Sequence, residues 1–128
     1  MTGKQLIKAA YAARENAYAP YSGFRVGAAL LAESGRVYTG CNIENASFTP
    51  TVCAERTALF KAVSEGERGF RAIAIVGNTD KCFPCGVCRQ ALSEFCGAKF
   101  KVYLAENKKV LTFTLGELLP GKFDFKNK

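Results

Sequence analysis

Apolar residues recur along the chain with two spacings, and each spacing predicts a different kind of element. Leu6, Ile7, Ala10 and Ala13 lie three or four positions apart, which predicts a helix over roughly residues 3–16. Similar spacing, limited by glycine, proline or a capping residue, predicts three further helices, over 52–64, 84–97 and 115–119.

Short aliphatic runs between these segments predict five strands, over 24–32, 37–41, 72–77, 101–104 and 110–113. The first run is apolar almost throughout, which is typical of a strand buried on both faces. Helices alternating with such strands predict an α/β fold, a three-layer α-β-α sandwich with a five-stranded mixed sheet. We expect a hairpin at one edge of the sheet, a parallel strand at the other edge, and a single domain over 1–128.

The chain of 128 residues contains no histidine, and this narrows the possible chemistry. Ser-His and Cys-His nucleophilic sites, histidine metal ligands and a histidine general base are all excluded. Any group that titrates near neutral pH must therefore be a perturbed carboxylate, a thiol or a water made acidic by a metal.

Charge and targeting signals bear on partners and compartment. The net charge is +7, but no basic run is longer than Lys108-Lys109, which favours a solvated basic surface over a nucleic-acid partner. No apolar run is long enough to span a membrane, and the N-terminus lacks the apolar core of a signal peptide. We therefore expect a cytoplasmic protein in which the six cysteines are reduced, buried or metal-bound, and a disulfide framework is the alternative.

Two cysteine motifs carry the candidate chemistry. Cys53 and Glu55 stand two positions apart, and a Pro-Cys-x-x-Cys motif follows with Cys85 and Cys88. Three thiolates leave the fourth position of a tetrahedral zinc ion open to water, as catalytic zinc sites do. The residues predict a zinc ion held by Cys53, Cys85 and Cys88 at the beginnings of two helices, whose dipoles favour thiolates.

Glu55 and Arg56 lie beside the proposed ligands. Glu55 is predicted to move protons to and from the water, although a glutamate that complements its helix dipole is the simpler reading. Arg56 is predicted to hydrogen-bond the ligand sulfurs, because three thiolates on Zn²⁺ leave a net negative charge.

Other readings of the cysteines remain open at this point. Cys85 and Cys88 could form a redox pair, and Cys82 could complete a four-thiolate structural site with the other three. Cys41 and Cys96 are predicted to be buried apolar residues.

These motifs and several flanking segments resemble the small homotetrameric zinc-dependent cytidine deaminases over nearly the whole chain. The resemblance is carried by Cys53-Ala54-Glu55-Arg56, Pro84-Cys85-Gly86-Val87-Cys88, Tyr18-Ala19-Pro20-Tyr21-Ser22, Gly40-Cys41-Asn42-Ile43-Glu44-Asn45-Ala46 and Leu118-Leu119-Pro120-Gly121. It implies an enzyme, a hydrolase acting on a cyclic amidine C–N bond, that converts cytidine and 2′-deoxycytidine to the uridine forms in pyrimidine salvage.

The resemblance also implies roles for individual residues. Asn42 and Glu44 would hold the ribose hydroxyls, Phe24 would line the base pocket, and the backbone near Ala54 would bind the pyrimidine edge. Phe123 would reach the base in a neighbouring subunit, so that active sites are shared within a homotetramer. From residue type alone, Asn42 and Glu44 could instead stabilise turns, and Phe24 and Phe123 could be core residues.

One departure from the family pattern is Phe48, which stands where many members carry a tyrosine. Two competing functions remain. The first is a deaminase of another cytosine nucleoside, such as a blasticidin-type antibiotic, and the second is an inactive structural zinc module. A deaminase of polynucleotides is not favoured, because it would need an open groove with phosphate contacts, whereas a segment contributed by a neighbouring subunit would close this pocket.

Overall fold

The computed structural model describes residues 1–125. In chain order the helices are α1 (Gly3–Arg14), α2 (Ala54–Ser64), α3 (Gly86–Ser93) and α4 (Leu115–Leu118). The strands are β1 (Gly27–Ala32), β2 (Val37–Cys41), β3 (Phe70–Val76), β4 (Lys101–Glu106) and β5 (Lys109–Thr114). Every predicted helix and strand is present, with ends that differ by a few residues.

The five strands form one mixed sheet in the order β2-β1-β3-β4-β5. Only β3 and β4 are parallel, and the other three pairs are antiparallel. The expectation of a parallel strand at one edge is therefore wrong. The chain crosses from β3 to β4 through α3 and then returns in a hairpin, so the parallel pair lies inside the sheet and β5 forms the edge.

Helices cover both faces of the sheet, which confirms the three-layer α-β-α sandwich. On one face α1 packs through buried Leu6, Ile7 and Ala10. Thr2 and Gln5 form the capping box that begins this helix. On the other face α2, α3 and α4 pack against the sheet around Leu59, Leu92 and Leu115. Strand β1 is buried along its whole length, as its apolar sequence predicts.

One end of the sheet gathers the segments that carry the candidate chemistry. Gly27, the first residue of β1, pairs with Cys41 at the end of β2 and with Val76 at the end of β3. Phe24 precedes Gly27, Asn42 follows Cys41, and the loop to the second cysteine motif follows Val76. Strand pairing therefore brings three segments that are distant in sequence to the same end of the sheet.

The first strand begins three residues later than predicted, because a side-chain bond replaces one of the two backbone bonds at Val26, where the N–H of Asn42 still donates to the Val26 carbonyl over 3.2 Å. The backbone N–H of Val26 donates to Oδ1 of Asn42 over 2.9 Å, so regular pairing begins only at Gly27. Within residues 1–125 no helix is long and apolar enough to cross a membrane.

Candidate active site

Three cysteine sulfurs lie together where α2 and α3 begin. Cys53 is the N-cap of α2, Cys85 is the N-cap of α3, and Cys88 lies in the first turn of α3. The Sγ of Cys85 is 3.8 Å from the Sγ of Cys53 and 3.5 Å from that of Cys88. Two helix N-termini therefore point their positive ends at one cluster of thiols.

The spacing of these sulfurs fits one zinc ion. A tetrahedral zinc with Zn–S bonds of about 2.3 Å separates neighbouring sulfurs by roughly 3.8 Å. The three sulfurs all lie within 4.8 Å of one another, and no fourth cysteine or carboxylate in residues 1–125 joins them. Cys82 is outside this cluster, so the arrangement is the open, three-thiolate kind and not the closed structural kind.

Cys53 lies one residue before its helix, although the sequence predicts that the helix starts at Val52 and includes it. The backbone N–H of Val52 donates to the carbonyl of Ile43, and Val52 accepts a bond from Ile43 in return. This short bridge keeps the chain extended through Cys53, whose φ is −77° and ψ is 155°. The helix therefore begins at Ala54, and the thiol of Cys53 turns toward the start of α3.

Arg56 contacts the thiol cluster, with its Nη2 3.6 Å from the Sγ of Cys53. The thiol of Cys88 and then the guanidinium of Arg56, by hydrogen bonding, lower the pKa of Cys53. The same contact with Cys53 raises the pKa of Arg56, so its positive charge is retained. Among the described residues, Arg56 Nε is buried without a hydrogen-bond partner. A permanent cation beside sulfur offsets the negative charge that three thiolates would bring.

Glu55 is buried beside this cluster, with 4% of its surface exposed. Burial raises the pKa of Glu55 to about 7, and the charge of Cys53 adds to that effect. A carboxyl group with such a pKa can both accept and release a proton near neutral pH. The simpler reading, a glutamate that complements its helix dipole, accounts for its place in the first turn of α2 but not for this burial.

A cavity of about 320 Å³ opens in front of the sulfurs and Glu55. Its walls include Phe24, Asn42, Glu44 and Ala54, together with Cys53 and Cys85. Residues as far apart in sequence as Phe24 and Cys85 therefore line the same cavity. A larger groove of about 680 Å³ lies between α1 and the β4–β5 hairpin, but it is lined by none of these residues.

Asn42 and Glu44 line the cavity and also hold the turns around it. Asn42 bonds to the backbone of Phe24 and Val26. Glu44 accepts hydrogen bonds from the backbone N–H of Tyr21 and Ser22 and from the Ser22 hydroxyl. The bond from Ser22 lowers the pKa of Glu44, which keeps the carboxylate charged. The turn-stabilising reading is therefore correct, and both side chains still border the cavity.

Phe123 lies away from the cavity of its own chain, on the segment after α4. Its surface is 56% exposed, so the reading of Phe123 as a core residue is wrong. Phe48 is 76% exposed and has a φ of 63°, a left-handed conformation that phenylalanine rarely adopts. Phe24, in contrast, is half-buried in the cavity wall.

Some residues near the site were not predicted from the sequence. Ser22 bonds to Glu44 and also accepts the backbone N–H of Phe24 over 3.0 Å. Cys82, considered above only as a ligand, lines the cavity, and burial raises its pKa to about 11. The turn residues Tyr21-Ser22-Gly23 mark a loop in the sequence, but nothing in them indicates which carboxylate the serine reaches. Of the two cysteines predicted to be buried, Cys96 is buried and Cys41 is half-buried.

Comparison with known proteins places this architecture in a family. Residues 1–104 match the family model described as the cytidine and deoxycytidylate deaminase zinc-binding region. A cytidine deaminase of Sporosarcina psychrophila is 53% identical over 96% of this chain and 92% of its own length. One from Halalkalibacterium halodurans is 55% identical over 96% of this chain and 95% of its own. The crystal structure of the Burkholderia pseudomallei cytidine deaminase superposes with a TM-score of 0.89 at 49% identity, covering 96% of this chain and 100% of that one.

The match extends from the cysteine motifs to the sheet that brings them together, and the three-thiol cluster fits the zinc ion after which the family region is named. On the family model, the sequence identity and the shared fold, this chain belongs to the cytidine and deoxycytidylate deaminase family.

Proposed function

We propose that this chain catalyses zinc-dependent hydrolysis of cytidine and 2′-deoxycytidine to uridine and 2′-deoxyuridine, with release of ammonia. The observation that carries the proposal is the position of Glu55, buried beside three clustered thiols and bordering a cavity of nucleoside size. Relatives more than half identical over most of the chain bear the name cytidine deaminase, which supports the same substrate here.

Cys53, Cys85 and Cys88 would hold one zinc ion per subunit through their sulfurs. When bound there, zinc supplies a Lewis acid that makes a water molecule acidic enough to attack near neutral pH. Arg56 would keep the thiolates in place by balancing their charge through its contact with Cys53.

Glu55 would move the protons. Its carboxylate takes a proton from the attacking water and delivers it to N3 of the pyrimidine, while the water oxygen bonds to C4. It then passes the remaining proton of that oxygen to the 4-amino group. The C4–N bond breaks, ammonia leaves, and the oxygen stays as the 4-oxo group of the uridine product. Glu55 ends in the state in which it began.

The cavity walls would select a nucleoside. Phe24 offers an aromatic surface to the flat base, and the backbone near Ala54 would bind the pyrimidine edge. Asn42 and Glu44 would hold the ribose hydroxyls through an amide and a charged carboxylate. Because Asn42 and Glu44 are also tied to the backbone, they would meet the sugar in a fixed orientation.

A homotetramer with shared active sites belongs to the same proposal. Several large apolar side chains are exposed on the single chain, including Phe48, Phe60, Val87, Phe123 and Phe125. Such exposure favours an interface with other copies of the chain, and Phe123 would there reach the base in a neighbouring site.

We further propose a single catalytic domain over 1–128, with its five strands in one sheet. We also propose a cytoplasmic role in pyrimidine salvage, because six free thiols suit a reducing compartment. Residues 126–128 lie outside the described part.

Ultraviolet absorbance tests the function directly. Purified protein should convert cytidine and deoxycytidine, lose that activity with a chelator and recover it with zinc. Oligonucleotides with cytosine should stay unchanged. Turnover of a blasticidin-type nucleoside without turnover of cytidine would replace the proposed substrate. No turnover of any nucleoside by zinc-loaded protein would support the structural-module reading instead.

A further inference from the structure

Helix α3 carries two of the clustered cysteines and also holds the C-terminal segment, which packs along it. Its start carries Cys85 and Cys88. Directly after Cys88, Arg89 holds the last residue of α4 and Gln90 holds the chain that follows it. Arg89 Nη1 donates to the carbonyl of Leu118 over 2.7 Å, and its Nε donates to the carbonyl of Pro84 over 2.8 Å. The helix that begins at the thiol cluster is thus bonded to the segment that carries Phe123.

Gln90 makes the contact nearest to Phe123. Its Nε2 donates to the Phe123 carbonyl over 3.0 Å, and the Phe123 backbone N–H donates to Gln90 Oε1 over 3.3 Å. The side-chain amide therefore pairs with both polar groups of one backbone residue, as a neighbouring strand would. This pairing fixes the Phe123 backbone and leaves its ring 56% exposed.

Other features of the segment lie before Phe123. Gly121 adopts a φ of 63°, which turns the chain after Pro120, and Lys122 Nζ lies 3.4 Å from the carbonyl of Ser93. Pro120 has no N–H to donate, and Lys122 is a long, exposed side chain. The two bonds of Gln90 act on Phe123 itself, at both polar groups of its backbone.

We propose that Gln90 is a positioning residue: by pairing with the Phe123 backbone it aims this ring at the active site of a neighbouring subunit. This rests on the proposed function, in which that ring covers the bound base. Gln90 itself does not line the cavity in front of Glu55. An amide suits this position because it presents a donor and an acceptor on two separate atoms. Glutamate would set its carboxylate against the Phe123 carbonyl, and leucine would lose both bonds.

The first experiment compares Gln90→Leu and Gln90→Glu with Phe123→Leu and the double variant Gln90→Leu/Phe123→Leu. Gln90→Leu, which loses both hydrogen bonds, should raise KM for cytidine by roughly 5- to 10-fold, and Gln90→Glu, which keeps only the bond from the Phe123 N–H, should raise it as well. Zinc content and oligomeric state should stay at parent values. The double variant should be no worse than Phe123→Leu alone, because Gln90 acts only through that residue. Additive effects, or a parent-like KM in both Gln90 variants, would overturn the proposal.

The second experiment asks in which subunit Gln90 acts. Gln90→Leu subunits are co-expressed with Glu55→Gln subunits, which have an intact C-terminal segment but no proton carrier. All measured turnover then comes from sites in Gln90→Leu subunits. If the segment acts on a neighbour, KM should fall back toward the parent value as the Glu55→Gln share rises. An unchanged KM would contradict the inference, whereas a parent protein without cytidine turnover would contradict the proposed function instead.

Discussion

Asn42 ties the end of β2 to the segment that carries Phe24. Its Nδ2 donates to the carbonyl oxygen of Phe24 over 2.8 Å, while its Oδ1 accepts the N–H of Val26 over 2.9 Å. The residue proposed to hold the sugar therefore also holds the residue proposed to lie against the base. The two proposed contacts, to the sugar and to the base, are therefore linked by a hydrogen bond between residues 18 positions apart in sequence.

Replacing Asn42 by alanine should affect both substrate binding and stability. The change leaves two part-buried backbone groups without partners, which should lower the free energy of unfolding by roughly 1–3 kcal/mol for each group. KM for cytidine should rise more than kcat falls, because Glu55 and the thiols are untouched. Urea unfolding and steady-state kinetics measure these effects. Asn16→Ala, at an exposed position after α1, is the matched control. A parent-like KM in Asn42→Ala would refute the joint role.

Replacing Glu55 by glutamine should abolish most activity without disturbing the metal centre. The amide keeps the size of the buried side chain but cannot carry protons, so kcat should fall by about 10²- to 10⁴-fold or more. Metal analysis should still find one zinc ion per subunit. The exposed Glu15→Gln provides a control for the same chemical change. Turnover by Glu55→Gln within a few-fold of the parent would remove Glu55 from the mechanism.

A pair of cysteine variants separates the open metal site from a closed one. Cys85→Ala removes one of three clustered sulfurs, and zinc content after dialysis should fall well below one per subunit. Cys82→Ser changes a cysteine outside the cluster and should leave zinc content unchanged. Mass spectrometry for metals gives both values. Loss of zinc from Cys82→Ser would instead revive the four-thiolate structural site.

Gly40 sets the distance between β2 and the helix that carries Glu55. A Cβ atom at this position would lie 2.5 Å from the backbone nitrogen of Ala58 and 2.7 Å from the carbonyl oxygen of Ala54. Gly40→Ala should therefore push α2 away and cost about 1–3 kcal/mol of stability. Activity should fall as well, since Ala54 adjoins both Cys53 and Glu55. Gly97→Ala is the control, because a Cβ there meets nothing within 4 Å. Equal unfolding midpoints for the two variants would contradict this account.

The elements were predictable from the sequence because their signals are local. The spacing of Leu6, Ile7 and Ala10 predicts α1, and the apolar run before Glu33 predicts a strand buried on both faces. Element ends were less predictable. Val52 looks like the first residue of a helix, but its backbone bonds to Ile43, which is close only once the chain has folded.

The candidate site shows the same division. Cys53, Glu55, Cys85 and Cys88 could be selected by type and spacing, since few residues supply thiolates and a neighbouring carboxylate. The hydrogen-bond partners of Asn42 and Glu44 could not be predicted from the sequence, because an amide or a carboxylate bonds to whatever polar group lies within about 3 Å in the folded chain. Nothing in the sequence indicated that Gln90 bonds to Phe123, because the two residues are 33 positions apart.

By itself the sequence determined the helices and strands, the absence of histidine chemistry and which thiols were candidates to hold zinc. Each of these depends on residue type or on spacing along one element. The tertiary structure alone decided that β5 forms the edge, that Glu55 is buried, that Cys82 stays outside the metal cluster and that Phe123 is held on α3. Those outcomes depend on distances between residues far apart in the chain, which exist only after the sheet has brought its ends together.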